Sequence, residues 1–578
     1  MGGGFRIAGG DGRARVGYRL LGESTPTLVG PTLRTATILV LAATGPCLRL
    51  RPYSPEEAEE VRQLLREAYA LSQAIDGMRR AAGVVRLKVN GEEVPAAAVD
   101  RAFVYIYGRP YIERKVRDFL VADEIEARRK SGQVVGDLRI GDEEVMKEVA
   151  SMKEQLQGQI QGGFGVKAVL RLQGMDDTGF ADEQASLLLF DKVFIPEDPT
   201  KWSETTVQAL ASQGGQDFVD KTMKGLQEHR EKNPTEPMPA FYRTIFRQWI
   251  TKALKESSSI KTASYGLPPD VVLSVNNRPL PTAEAYPTVA RMVTAVDRER
   301  VLRWIVWTTA TRQALEERGA YLSDEEFEEG RESLGLEPPY RGTHHGVEDL
   351  ATLFKKFPAY DLYCEYWRLR TSFQRAIEGT ITEEALEAHR DRVRDFYGDG
   401  TVDAQAILLS ALDYTDFSWK GPDAFEKSKA RAEEVMGELK RGVTFEEAID
   451  RYSEFFDPPA PASGQQAPQV PRPNRGRFGP QSKNQLKTLL GESEFDEVVR
   501  GYSIGEILFH DAPIGEAIGP VRGPFGYYVG RVLARHAAER SIDLARENER
   551  NLVREDYVSR RFLEWSNEAV ARTRIEVR

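Results

Sequence analysis

Side chains able to do covalent or metal chemistry are few in this chain. Its two cysteines, Cys47 and Cys364, cannot build a disulfide framework, a CxxC motif or a zinc-spaced cluster. Of the six histidines only His344 and His345 are adjacent, in the Pro/Gly-flanked stretch PPYRGTHHG. That setting reads as a solvated loop, with a weak metal site as the alternative. The phosphate loop GxxxxGK[ST], the dinucleotide fingerprint GxGxxG and the zinc motif HExxH do not occur. No cofactor and no metal are therefore expected. The net charge of −10 argues against nucleic acid as a partner, because binding phosphates takes a basic surface.

Any chemistry must then come from how the elements position ordinary side chains. At 578 residues the chain is too long for one core and predicts several domains. Its 41% hydrophobic and 29% charged residues suit a globular protein. No run approaches the ~18 apolar residues that a membrane span takes. The apolar run Ala36 to Thr44, preceded by Arg34 and followed by Gly45-Pro46-Cys47, has the order of a secretory signal. It predicts export out of the cytoplasm, with a membrane tether near Cys47 as one option and a short buried element as the other reading.

Helical periodicity marks Pro55 to Arg79, started by Ser54-Pro55-Glu56. Two later stretches then match in order. RLKVNGEEVP (Arg86 to Pro95) and LSVNNRPLP (Leu273 to Pro281) each read as strand, tight turn and helix entry. Each leads to a long amphipathic helix, FLVADEIEARRKSG and WIVWTTATRQALEERG. Each then reaches an acidic helix start, Asp142-Glu143-Glu144 and Asp324-Glu325-Glu326. This order predicts a duplicated module. Gln155 to Gly165 reads as a Gly/Gln-rich loop, Pro239 to Leu254 and Asp361 to Phe373 as helices, and Pro458 to Pro473 as a Pro/Gln-rich insertion.

From Val402 the pattern changes to strand, helix, helix and strand. Val402 to Leu409 is a strand, and a helix follows from about Pro422 to Lys440. Gly442 ends that helix, and Thr444 with Glu447 forms the capping box of the next. The stretches AQAIL, RGVTFEEA, RYSEFFD, RGRFG, GEAIGPV and FGYYV follow in order. As an ordered set they resemble the landmarks of parvulin-type peptidyl-prolyl isomerases: Ala-x-His-Ile-Leu, Gly-x-x-Phe-x-x-Ala, Tyr-Ser-x-Asp, a glycine loop, GE-x-x-x-PV and FG-[YW]-H. The strand–turn–helix modules upstream are similar to the helical region of extracytoplasmic chaperones of the SurA kind.

The resemblance implies an α+β, mostly helical chain: duplicated helical chaperone modules plus one β-α-β domain with a small antiparallel sheet. Residues 1–48 form a leader and signal segment, and 49–265 and 266–397 the two helical modules. The parvulin-like domain spans 398–537 with its insertion at 458–473, and 538–578 is a closing helix. The implied partners are unfolded or Pro-containing polypeptides outside the cytoplasm, and the implied reaction is X-Pro isomerisation. That reaction breaks no bond, but amide resonance puts a barrier of roughly 18–20 kcal/mol in its way. Carried over by position, the family's first histidine falls on Ala406, the second on Tyr528 and the acid near Asp457. The apolar wall falls on Phe478, Leu486, Leu489, Phe495 and Phe525. With both histidines replaced, weak or lost catalysis is expected, Tyr528 and Asp457 being the groups left to catalyse in a rearranged pocket. A non-catalytic envelope scaffold is the remaining reading.

Overall fold

The computed structural model describes residues 87–132, 138–159, 165–233, 236–262, 267–333, 360–397, 400–455, 474–539 and 542–577, isolated positions within them excepted. Before residue 33 it describes the backbone of three strands, β1 (Gly2–Gly10), β2 (Arg13–Leu21) and β3 (Leu28–Thr32). The run Ala36 to Thr44, Cys47, the helix expected over Pro55 to Arg79, His344-His345, Asp457 and the Pro-rich stretch 458–473 lie outside the described residues.

The body begins with the hairpin β4 (Leu87–Val89) and β5 (Glu92–Val94). Its turn, Asn90-Gly91, has φ of 52° and 87°, a left-handed conformation that Asn and Gly adopt with least strain. Helices α1 (Ala96–Tyr107) and α2 (Arg109–Lys130) follow. Then come α3 (Asp142–Gln159), α4 (Val166–Leu172), α5 (Asp177–Phe194), α6 (Glu204–Gly214), α7 (Gln216–Lys232) and α8 (Ala240–Ser257). The loop expected from Gln155 is shorter than its composition suggests, since α3 runs on to Gln159. Gln and Leu are good helix formers, and the lone Gly158 is tolerated at about 1 kcal/mol.

A second hairpin repeats the first: β6 (Ile260–Thr262) leads to β7 (Val271–Val275) and β8 (Arg278–Pro281). Its turn, Asn276-Asn277, again has positive φ, 49° and 64°. Helices α9 (Thr282–Ala290), α10 (Ala295–Glu316), α11 (Asp324–Ser333), α12 (Tyr360–Ile377) and α13 (Glu383–Tyr397) complete this part. One core joins Leu87, Val89, Leu273 and Val275 of the hairpins to Trp304 and Trp307 of α10 and Phe373 of α12. Trp304 and Trp307 stack at 5.4 Å, so their spacing on α10 serves packing.

The remaining unit is an antiparallel sheet of order β12-β9-β14-β13: β9 (Thr401–Ser410), β12 (Arg477–Gln481), β13 (Ala517–Arg522) and β14 (Gly526–His536). Between β9 and β12 lie two two-residue strands, β10 (Leu412–Asp413) and β11 (Ser418–Trp419), and helices α14 (Ala424–Lys440) and α15 (Phe445–Tyr452). Beyond β12 come α16 (Lys483–Leu489) and α17 (Glu494–Arg500). Alternation on β9 splits the sheet into two apolar faces. Ile407 and Leu409 join Tyr527 and Val529 under α14 and α15, whereas Ala404, Ala406 and Leu408 join Tyr528 and Val532 on the opposite face. The closing helix α18 (Glu547–Arg572) and β15 (Ile575–Val577) return to the body, where β15 pairs with β4. Among the described residues no helix is long and apolar enough to cross a membrane.

Candidate functional site

The second face of the sheet gathers most of the side chains singled out from the sequence. Ala406, Phe478, Leu486, Leu489 and Tyr528 are buried in one cluster, with Phe525 partly exposed at its border. Register explains the first pairing: Leu408 stands opposite Tyr528 on β14 and Ala406 opposite Gly530, so one alternation puts both on this face. Leu486 and Leu489 sit one turn apart on α16, which starts at a capping box between Ser482 and Gln485. The glycine loop is required by close approach. At Gly476, with φ of 102°, a Cβ atom would lie 1.8 Å from the Ala406 carbonyl oxygen. At Gly491 a Cβ would lie 2.1 Å from the Phe525 ring, so this glycine lets Phe525 settle on the cluster.

Phe455 is a member that the sequence reading missed. It lies partly exposed against this cluster, edge-on to Phe478 at 5.4 Å and to Tyr528 at 5.9 Å. In RYSEFFD it is the fourth residue of the Tyr-Ser-x-Asp pattern, counted without any insertion. That count was the signal available: it puts a phenyl ring where the pattern has a carboxylate. The neighbouring acid, Glu454, is committed elsewhere. It accepts from the Ser410 amide at 2.7 Å and pairs with Arg431 at 2.9 Å and Lys420 at 3.3 Å. Tyr414, partly buried at the same cluster, is another aromatic the sequence reading missed, its phenol pushed up to about 12 by burial.

Tyr528 is only 1% exposed, and its hydroxyl donates to the Leu490 carbonyl at 2.9 Å. Burial holds its phenol well above the usual tyrosine range, so it stays a neutral donor. Phe495 is corrected from the expected apolar wall. It is fully buried in the core of the helical body, 5.1 Å from Trp304, with the Arg300 guanidinium over its ring at 4.8 Å. The cause is the amphipathic face of α17: Phe495 and Val498, three positions apart, both turn to the body.

The described part of this site is thus a buried aromatic and aliphatic cluster with Tyr414, Phe455 and Phe525 partly exposed at its border. Ala406 and Tyr528 stand where the resemblance places two histidines, and neither offers a charge; Asp457, where it places the acid, lies outside the described residues. Apolar burial against that border is worth ~25 cal/mol per Å². Among the described residues no group of three or more His, Cys, Asp or Glu is arranged to hold a metal ion.

No family model and no curated relative matches the chain. Three solved structures of the peptidylprolyl isomerase PrsA are similar to it at low levels. The one from Bacillus anthracis is 16% identical with a TM-score of 0.19, covering 46% of this chain and 94% of that one. The one from Bacillus cereus is 17% identical with a TM-score of 0.18, covering 52% and 90%. The one from Bacillus subtilis is 17% identical with a TM-score of 0.14, covering 52% and 91%. TM-scores of this size do not establish a shared fold.

Proposed function

We propose that this chain is a folding factor related to parvulin-type peptidyl-prolyl isomerases, acting outside the cytoplasm, whose sheet domain binds apolar and Pro-containing stretches of unfolded polypeptides. Its isomerase chemistry is weak or lost. The ordered landmarks from AQAIL to FGYYV support the relationship, and the run Ala36 to Thr44 supports export. One observation carries the loss of catalysis: the two histidine positions hold Ala406 and a Tyr528 whose hydroxyl is already bonded to Leu490. The helical modules supply the rest of the client-binding surface, in the manner of SurA-like chaperones.

Binding without catalysis is a coherent activity. Rings pack on Phe455 and Phe525 whether the X-Pro bond is cis or trans, and a site indifferent to the twisted amide leaves the barrier unchanged. The test is a protease-free isomerisation assay on an X-Pro peptide, comparing the intact protein with Tyr528→Phe and Asp457→Ala. The expected result is a rate at background in all three, together with suppression of aggregation of an unrelated unfolded client. A rate above background that falls in either variant makes the protein a working isomerase instead. Failure to suppress aggregation makes it a scaffold.

A further inference from the structure

We infer that the helical body is an internal pseudo-dimer: two equivalent half-units, each of which closes the hairpin of the other with its own last strand. The first half runs from β4 to β6 and the second from β7 to β15. Antiparallel to β7 lies β6, the end of the first half, and antiparallel to β4 lies β15, the end of the second.

The two closures are made by the same atoms. Asn90 accepts on Oδ1 from the Arg574 amide at 2.8 Å, and its own amide donates to the Arg574 carbonyl at 2.8 Å. Asn276 accepts on Oδ1 from the Ser259 amide at 2.9 Å, and its amide donates to the Ser259 carbonyl at 2.8 Å. Each asparagine then spends its Nδ2 on the long helix of the opposite half: Asn90 on Gln313 of α10 at 2.9 Å, Asn276 on Asp123 of α2 at 2.8 Å. The ion pairs beside them are reciprocal too. Glu92 of the first hairpin meets Arg312 of α10 at 2.6 Å, and Arg278 of the second meets Asp123 of α2 at 3.0 Å.

The displacement along the chain from Asn90 to Asn276 also carries Leu87 to Leu273, Val89 to Val275 and Pro95 to Pro281. It carries Glu113-Arg114 to Glu299-Arg300 and Arg117 to Arg303, with no insertion or deletion. The first of these arginine pairs does matched work. Arg114 on α2 holds Asp182 of α5 at 3.1 Å, and Arg300 on α10 holds Asp496 of α17 at 2.6 Å. In each half a long helix therefore anchors an acidic helix of the segment inserted before that half's last strand. The insertion is α3 to α7 in the first half. In the second it contains the sheet domain. A relation that exchanges both halves at the hairpin closures and at one arginine anchor is the isologous pattern of a two-fold dimer written into one chain. Its consequence is a clasp: the chain's last strand locks the hairpin at residues 87–94, so the sheet domain is held at both of its ends.

The test uses the full-length protein and native-state hydrogen exchange. Asn90→Gly and Asn276→Gly keep the left-handed turn and remove only the side-chain bonds. Asn90→Gly is expected to speed exchange at Ile575–Val577 about tenfold and leave Ile260–Thr262 unchanged, and Asn276→Gly to do the converse. A specific protease site introduced between β6 and β7, cut in the folded protein, is expected to leave the two pieces co-eluting without denaturant. Separation of the pieces, or faster exchange that stays inside the mutated hairpin and spares the opposite closing strand, overturns the inference.

Discussion

At the scale of single residues, Tyr528 shows how a side chain at a family's catalytic position can be absorbed into packing. Its hydroxyl is buried and satisfied by the Leu490 carbonyl, so removing it leaves that carbonyl short of a donor. Tyr528→Phe should therefore lower stability by about 1–2 kcal/mol, read from the denaturant midpoint. In the same variant the X-Pro isomerisation rate should stay where it was, at background. A variant as stable as the parent would mean that the Leu490 bond contributes nothing. Ala406 and Tyr528, carried over by position from the resemblance, fall on one face because period two is a local property of β9 and β14. Phe455 was not legible in the sequence because the acidic position of the pattern falls near Asp457, two residues further on, whereas this cluster is built from rings.

At the scale of elements, the sequence was most legible where one element is decided within a few residues of itself. The Asn-Gly and Asn-Asn turns, the strand at 401–410 and the start of α15 all carry their own instructions. In α15 the Thr444 side chain accepts from the Glu447 amide while the Glu447 carboxylate accepts from the Thr444 amide at 2.9 Å. This reciprocal cap lifts Phe445, Ala448 and Ile449 onto the sheet. Thr444→Ala should cost about 1 kcal/mol, and Thr444→Ser should restore most of it. The measurement is the unfolding midpoint together with exchange of the amide at 447, the donor exposed when the cap is lost. Equal loss from Ser and Ala would assign the effect to the threonine methyl rather than to the cap. Phe495 shows the limit of local reading: the helical spacing of Phe495 and Val498 was visible, but their partner Trp304 lies some two hundred residues earlier.

At the scale of the whole molecule, the sheet domain meets the body through buried charges, and their balance makes stability depend on pH. Lys483 of α16 pairs with Glu506 at 2.7 Å, and Glu506 is also 3.3 Å from Arg560 of α18. Arg560 in turn holds Asp556 at 3.0 Å, which His389 of α13 reaches at 2.8 Å. Beside them Lys487 pairs with Glu497 of α17 at 2.5 Å, with Glu492 and His510 contributing charge nearby. Burial tends to raise both Glu506 and Asp556. The cations around Glu506, and the His389 hydrogen bond with nearby cations at Asp556, outweigh it and hold both carboxyls below their ordinary range. Burial dominates at Glu497, which is raised from 4.5 to about 7 against the pull of Lys487, and at Lys483, which is lowered from 10.5 to about 8.

The signs follow from linkage. Folded Glu497 binds its proton more tightly than the unfolded chain does, so its contribution is complete below pH 4.5 and is lost as pH rises through about 7. Lys483 releases its proton more readily when folded, so its contribution is complete above pH 10.5 and is lost as pH falls through about 8. Between these limits, near pH 7 to 8, both groups are charged in the interior and both costs are present. Glu506 and Asp556 act oppositely to Glu497: their contributions persist above their ordinary values, 4.5 and 3.8, and fade only in stronger acid. Stability should accordingly rise as pH is lowered from 7.5 towards 5.5, by on the order of 1 kcal/mol per unit where Glu497 titrates, and fall again below about 4.5. Glu497→Gln, which cannot titrate, should remove most of that rise while leaving the acid limb in place. Denaturant unfolding of both proteins at pH 7.5, 6.5, 5.5 and 4 measures it. An unchanged slope between 7.5 and 5.5 in Glu497→Gln would place the titrating group elsewhere. A profile that falls over that interval in the parent would show that the cations already neutralise this interface at neutral pH.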